Sequence, residues 1–346
     1  ITLGAGDGSR LLVGPDSEIQ LERLRVYGSS NHVDTQMRLI RGRTESTVTP
    51  RTGGDAPRYE IKAPAATSAV RGTRYRVSAY ANAEISTTEV LQGLVDITGS
   101  GVHRRVPAGF GAITAVSSPP AEPKPLLEAP DLSARPARIQ RVPFPIALPA
   151  VAGSAAYRVQ VATEPDFRTL LFDRVTGVGT ARIPDLPDGE YILRIRAVDA
   201  QGLEGHDSDS RITINARPEA PILVGPTPGA LISEERPVFS WARPMNAAGY
   251  RLQVARDSGF DALVMDLTDV GAEKIIAPRT LPPGQYYWRV ATRADDGEIG
   301  PWADGAMFKR MPRAPNLKQP DITDHGISFP WGHGLPEDRY EFQVAR

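Results

Sequence analysis

The sequence Tyr-Arg-Leu-Gln-Val-Ala at residues 250–255 returns twice in this chain, and its repetition decides the fold. It reads Tyr-Arg-Val-Gln-Val-Ala at residues 157–162 and Tyr-Glu-Phe-Gln-Val-Ala at residues 340–345. The first, third and fifth residues of each copy are large and apolar, as in a β-strand with one buried face. The copies lie 93 and 90 residues apart, and a period of this length predicts one β-sandwich per repeat.

A second strand precedes each copy of this motif. Phe239 and Trp241 alternate with polar residues in the second repeat, and the first repeat has Ile146 in the corresponding strand. In the third repeat Trp331 precedes its tyrosine by the same nine residues as Trp241. These matching positions favour core tryptophans over sugar-stacking ones, and Trp288 lies on a further apolar strand.

The sequence after each motif carries a turn before a central strand. Gly189 and Gly284 stand at these turns, and we expect both to adopt a positive φ. The segment Pro282–Val290, with the Trp241 strand, resembles the fibronectin type III-like modules, and the resemblance covers about 143–313 and the start of a third module. The third repeat stops at Arg346 after two strands, so we expect it to pair with the second repeat or to belong to a longer natural chain.

Composition supports an all-β chain of two to three domains. The 346 residues include 32 Gly and 32 Pro but few aromatic residues, which favours short strands joined by tight turns. The best helical candidate is the short segment Thr163–Leu171, interrupted near its start by Pro165.

Charge and cysteine content exclude several classes of function. Forty basic and forty-one acidic side chains leave a net charge of −1, so there is no large positive field for nucleic acid or an anionic membrane. The absence of cysteine removes disulfides, thiolate metal sites and cysteine nucleophiles. No apolar run reaches the roughly 18 residues of a membrane span. The chain begins at Ile1, and we interpret it as part of a longer precursor.

A proline-rich segment separates two unlike halves. Residues 117–141 contain Pro119, Pro120, Pro123, Pro125, Pro130 and Pro136, which predicts an extended, semi-rigid linker. The predicted domains are 1–116, the linker 117–141, two sandwich repeats at 142–217 and 218–313, and an incomplete third repeat at 314–346.

The N-terminal segment, residues 1–116, resembles the FecR domain. Similar short motifs recur along its strands, and such internal repeats predict a compact β-sandwich or a β-solenoid. The resemblance rests on Gly6–Leu11, Gly42, the signature run Ala63–Val77, Gly93–Ile97 and Pro107–Phe110. It implies an exported protein of the periplasm or outer cell envelope of a Gram-negative bacterium.

The function that follows is non-enzymatic binding. The best-known FecR members sense an occupied outer-membrane transporter and regulate a sigma factor, but this chain shows sandwich repeats in place of their transporter-contacting module. Its layout is similar to exported FecR-domain proteins that often carry a peptidoglycan-binding LysM module. We therefore expect an envelope scaffold that binds protein or peptidoglycan, with a FecR-type signalling sensor and a carbohydrate-binding protein as alternatives.

No reactive site is evident, and we expect neither cofactor nor metal. The glycines Gly4, Gly6 and Gly8 have no following helix, which argues against a phosphate loop. The five histidines lack metal-ligand spacing, and no serine has a nucleophile elbow. The acidic segments 207–209 and 295–298 could collect calcium, yet solvated hairpin turns are the simpler interpretation.

Three residues remain as candidates for partner binding. Arg71 and Arg74 flank Gly72 in the signature run, and Trp302 lies in a loop of the second repeat. Alternation places Arg74 and Arg76 together on the polar face of a strand, which favours a solvated or ion-paired surface. For Gly72 we expect a bulge or a close approach of two strands.

Overall fold

The computed structural model describes residues 1–27, 32–50, 59–80, 84–312 and 318–330. The described residues form strands, turns and loops without a helix, which confirms the all-β fold class. The helix considered at Thr163–Leu171 is wrong. Phe167 takes a φ of 55° there and packs into the core, so the backbone turns and then enters a strand at Leu170.

The chain divides into two compact units, Ile1–Ile214 and Asn215–Arg346. The first unit begins with an N-terminal domain of twelve strands. They are β1 (Thr2–Gly4), β2 (Arg10–Val13), β3 (Glu18–Tyr27), β4 (His32–Thr47), β5 (Tyr59–Lys62), β6 (Thr67–Val70), β7 (Arg74–Ala79), β8 (Ile85–Gln92), β9 (Leu94–Gly99), β10 (Val102–Pro107), β11 (Phe110–Ala115) and β12 (Lys124–Pro125).

The long strand β4 belongs to two sheets. Its first part pairs with β3 and β5, and that sheet continues through β6, β9 and β10. Its last part pairs with β2 and β7, and this second sheet continues through β8, β11 and β12. Met37, Ile97, Tyr75 and Val90, drawn from both sheets, share one buried core. All of these pairs except β4–β5 are antiparallel. Because the two sheets bury their apolar faces in this one core, the domain is a sandwich.

Gly42 lies where β4 passes from one sheet to the other. Its φ is 91°, and a Cβ atom at this position would lie 2.4 Å from Cα of Ser17. Only glycine meets both conditions without strain.

We expect Gly42→Ala to lower the free energy of unfolding of the first unit by about 2–4 kcal/mol, from left-handed strain and the clash. Urea unfolding followed by circular dichroism measures the change. Gly6→Ala is the matched control, since open space surrounds Gly6; equal stability of the two variants would contradict the explanation.

The first unit continues with a sandwich of seven strands. They are β13 (Arg138–Ile139), β14 (Phe144–Ala147), β15 (Ser154–Ala162), β16 (Leu170–Thr176), β17 (Thr180–Ile183), β18 (Gly189–Asp199) and β19 (Ser208–Ile214). One sheet has the order β13-β19-β18-β15-β16, and β14 pairs with β17 in the other.

The second unit holds a similar sandwich and a short hairpin. Its strands are β20 (Ile222–Gly225), β21 (Ala230–Ile232), β22 (Val238–Ala242), β23 (Gly249–Ala255), β24 (Leu263–Val270), β25 (Lys274–Ile276), β26 (Gly284–Arg293), β27 (Ile299–Trp302), β28 (Ala306–Arg310), β29 (Asp321–Thr323) and β30 (Gly326–Ser328). One sheet has the order β21-β28-β26-β23-β24, with β27 beside β26, and the other has β20-β22-β25.

The two sandwiches place equivalent residues alike. Trp241 and Trp288 are 3% and 0% exposed, so the prediction of core tryptophans is confirmed for both. Gly189 and Gly284 have φ values of 155° and 145°, as expected. Trp331 and the third copy of the strand motif lie outside the described residues.

The proline-rich segment packs on both parts of the first unit. Strand β12 adds to β11, and β13 adds to β19 in parallel. Leu126 is buried, and the Arg135 guanidinium donates to the carbonyl oxygen of Arg211 at 2.9 Å. The domain boundaries drawn from the sequence stay a prediction.

Candidate functional site

The second sheet of the N-terminal domain carries a charged face on the side away from its core. Tyr75 and Val77 point into the core, so Arg74 and Arg76, which alternate with them along β7, point outward. Arg43 and Glu45 do the same on the neighbouring β4, and Glu89 on β8. These side chains meet the sandwich sheet of β15 and β18, which contributes Arg158, Gln160, Arg194 and Arg196.

Glu204 lies at the centre of this interface. It belongs to the turn between β18 and β19 and is 2% exposed. Its carboxylate lies 3.0 Å from the Arg43 guanidinium and 3.1 Å from that of Arg76, both in the N-terminal domain. It also lies 2.6 Å from Arg158 and 3.2 Å from Arg196 of the sandwich. One carboxylate thus joins four arginines from two domains.

Glu45 and Asp207 form a second ionic group beside the first. Arg74 lies 2.7 Å from Glu45 and 2.8 Å from Asp207, so it links the two carboxylates. Arg196, which is 0% exposed, lies 3.4 Å from Glu45 and 3.1 Å from Asp207. Arg194 makes a bidentate pair with Asp209 at 2.7 Å. We call these side chains the ionic interface: Arg43, Glu45, Arg74, Arg76, Glu89, Arg158, Arg194, Arg196, Glu204, Asp207 and Asp209.

These contacts test two predictions that were made from the sequence. The alternation that puts Arg74 and Arg76 on one polar face is confirmed, and the face is ion-paired. A solvated face is wrong for Arg76, because the sandwich covers it completely. A solvated turn is also wrong for Asp207, whose carboxylate is occupied by Arg74 and Arg196 and is thus not available to calcium.

Burial and the neighbouring charges shift the pKa values of the ionic interface. Burial alone would raise the pKa of Glu45, but Arg196, Arg74 and nearby guanidinium groups hold it well below its usual value. The pKa of Glu204 is likewise lowered by arginines that outweigh its burial. Burial lowers the pKa of Arg43 to about 10, which leaves the side chain charged at neutral pH.

Glu89 is the exception within the ionic interface. Burial raises its pKa to about 7, and the neighbouring Glu204 carboxylate acts in the same direction. One carboxylate oxygen accepts a hydrogen bond from the Thr87 hydroxyl at 2.9 Å. The other oxygen is buried without a hydrogen-bond partner. Its protonation therefore changes within the neutral pH range.

Arg71 lies away from the ionic interface, at an open groove on the other sheet. The side chain is exposed, and the groove has a volume of about 980 Å³. Arg104 and Arg105 of β10 also line it, together with Glu60 and Asp96. The structure therefore separates Arg71 from Arg74. The adjacent Gly72 has a φ of 123°, and a Cβ there would lie 2.4 Å from Cα of Pro50, which confirms the close approach expected at this glycine.

Trp302 lies on the sheet face of the second sandwich that corresponds to the ionic interface of the first. It is partly buried, and the Arg289 guanidinium stacks 4.4 Å from its ring centroid, with Arg251 at 5.6 Å. Arg251 also pairs with Asp266 at 2.6 Å, as Arg158 pairs with Asp173 in the first sandwich. Trp302 remains a candidate binding residue.

No group in the described ranges has the ligands of a metal centre, that is, three or more His, Cys, Asp or Glu side chains together. His103 hydrogen-bonds to the Thr98 hydroxyl at 2.8 Å. Residues 295–298 form an exposed turn. Over the same described ranges, no helix is long and apolar enough to span a membrane.

Comparison with known proteins identifies the N-terminal domain. The family model described as FecR protein matches residues 1–96. We call the N-terminal domain the FecR domain after this match, which ends at residue 96. This match contains Arg43, Glu45, Arg74, Arg76 and Glu89, so the family segment supplies one side of the ionic interface. FecR proteins are envelope-associated, and neither FecR nor fibronectin-type domains are enzyme families.

Solved structures give more distant similarities. A putative anti-sigma factor from Parabacteroides distasonis is 16% identical with a TM-score of 0.28, covering 36% of this chain and 55% of its own. This chain thus spans about half the length of that protein. The chicken CNTN1 FN1–FN3 domains are 15% identical with a TM-score of 0.26, covering 86% and 99%. The fibronectin(III)-like modules of Clostridium thermocellum CbhA are 16% identical with a TM-score of 0.22, covering 53% and 93%. No curated protein matches the chain.

Proposed function

We propose that this chain is a non-enzymatic binding protein and scaffold of the bacterial cell envelope. In this proposal the FecR domain and the first sandwich act as one rigid head. The ionic interface supports it, because buried charges need their partners in place, so relative motion of the two domains would be costly. The head would be exported to the periplasm or the outer envelope and would recognise an envelope protein or peptidoglycan.

The groove at Arg71 is the surface that we assign to recognition. The exposed guanidinium groups of Arg71 and Arg105 suit the carboxylates of peptidoglycan peptides or of an acidic protein segment. Among the ion pairs of the described residues, none involves Arg71, whereas Arg105 pairs with Asp96 at 3.3 Å. The rigid head would present this groove at a fixed angle on the envelope.

Co-sedimentation of the full chain with purified peptidoglycan sacculi tests this function. We expect the chain to sediment with the sacculi and Arg71→Ala to weaken binding roughly tenfold, since a charge-assisted hydrogen bond is lost. Arg182→Ala removes an exposed arginine of the first sandwich and should bind as the unchanged chain does. Failure to sediment at low salt would exclude peptidoglycan, and equal loss in both variants would exclude the groove.

The family match favours a second candidate function, regulation of a sigma factor in the FecR manner. Transcription from the promoters of the cognate sigma factor would then change when the gene is deleted. Unchanged transcription, together with retention on sacculi, would exclude this second function and support the scaffold function.

A further inference from the structure

Strand β3 forms an open edge of the FecR domain. Its ten residues, Glu18–Tyr27, pair with β4, and in the described part of the chain no strand pairs with the opposite edge. Such an edge offers a row of backbone N–H and C=O groups to another strand. Natural edges of this length are ordinarily covered or paired.

An apolar row follows this edge. Leu21, Leu24 and Val26 are 55%, 53% and 64% exposed. Leu21 lies opposite Met37 and Val26 opposite Val33, which are both core residues. Because opposed residues share a face of the sheet, the row lies on the core-facing side of its sheet. Its exposure shows that the second sheet does not cover it.

A β-bulge keeps the row in line. The register of β3 and β4 shifts between Leu21 and Arg23, so Glu22 is the extra residue. Without it, Leu24 would point to the opposite face from Leu21. Glu22 is held on that outer face by Lys62 at 2.8 Å and by Arg38 at 2.5 Å.

We propose that β3 pairs antiparallel with β3 of a second copy of this chain, about a two-fold axis between Glu22 and Arg23. Leu21 then lies opposite Leu24 of the partner subunit, and Ile19 opposite Val26 of the partner subunit. The exposed row of Leu21, Leu24 and Val26 in each copy is extended by Ile19, which is partly buried against its own core, and the two bulges face each other. The sheet runs unbroken from one FecR domain into the next.

Charge complementarity selects this register. Glu22 lies opposite Arg23 of the partner subunit, and Gln20 opposite Arg25 of the partner subunit, so no like charges meet. A shift of the register by one residue in one direction places Glu22 opposite Glu22 of the partner subunit, and a shift in the other direction places Arg23 opposite Arg23 of the partner subunit. Either shift also places apolar residues opposite polar ones. Like charges directly opposite destabilise a sheet.

The dissociation constant of the full chain, measured by sedimentation velocity over a range of concentrations, tests the proposal. A single strand pair is a small interface, so we expect a weak dimer that is populated at roughly 100 μM. Leu24→Lys should raise the dissociation constant at least tenfold by placing a charge in the apolar row. Val178→Lys, at an exposed apolar residue of the first sandwich (65%), should leave it unchanged. A chain that stays monomeric at roughly 500 μM would overturn the proposal.

Disulfide trapping tests the register itself, since the chain has no cysteine of its own. A tagged Leu21→Cys chain mixed with an untagged Leu24→Cys chain should form the mixed disulfide, because opposed residues lie within about 7 Å. The off-register mixture of Leu24→Cys with Val26→Cys should form several-fold less. Equal yields in the two mixtures would overturn this register.

Discussion

Glu204→Gln should lower the free energy of unfolding of the first unit by about 3–5 kcal/mol, as expected when one partner of a buried ion pair is removed. The amide keeps the size of the side chain but loses the charge that four arginines share. Arg76 and Arg196, both 0% exposed, would keep their charge without this counter-ion. Urea unfolding followed by circular dichroism at pH 7 measures the loss.

Glu190→Gln provides the control for this substitution. Glu190 is an exposed residue of β18, and the same chemical change there should alter stability by less than about 0.5 kcal/mol. If Glu204→Gln were equally mild, the ionic interface would contribute nothing to the association of the two domains.

Glu89→Gln should raise stability at alkaline pH. Burial raises the pKa of Glu89 in the folded chain to about 7, above the value of 4.5 expected when unfolded. The folded state therefore favours the protonated acid, so the stabilisation is fully present below pH 4.5 and is lost as the pH rises through 7. The amide stays neutral, and we expect a gain of about 1–3 kcal/mol at pH 8 and little change at pH 5.

The acid limb of the pH profile has the opposite origin. The pKa values of Glu45 and Glu204 are lowered on folding, so their contribution is present above pH 4.5 and is lost as the pH falls below it. The unchanged chain should be most stable near about pH 5, where the contribution of Glu45 and Glu204 is present and that of Glu89 is only beginning to be lost. Unfolding curves from pH 4 to 9 measure the profile, and parallel profiles for the unchanged chain and Glu89→Gln would contradict the assignment.

The sequence predicted the architecture because its strands follow a period of two. Apolar alternation placed Trp241 and the tyrosines of the repeated motif in the core, and the turn glycines were recognisable from their positions. The FecR resemblance was also readable, since its signature residues occur in order. Each of these signals is local or repeats at a fixed spacing.

The ionic interface could not be predicted in the same way. Charged residues on the outer face of a strand ordinarily meet water, and nothing in the neighbourhood of Arg76 indicates that a second domain covers it. Glu204 lies 128 residues from its partner Arg76, in a turn whose acidic residues resemble a solvated loop. One signal was available: Arg194 and Arg196 alternate on a central strand, and the turn that follows carries Glu204 and Asp207.

Hydrogen–deuterium exchange of the full chain is the most direct test of the claim that the FecR domain and the first sandwich form one cooperative unit. We expect Glu204→Gln, a change in the sandwich, to lower protection in β7 of the FecR domain and in β18 of the sandwich by the same free energy. Loss of protection in β18 with β7 unchanged would show that the two domains unfold independently and would contradict the account.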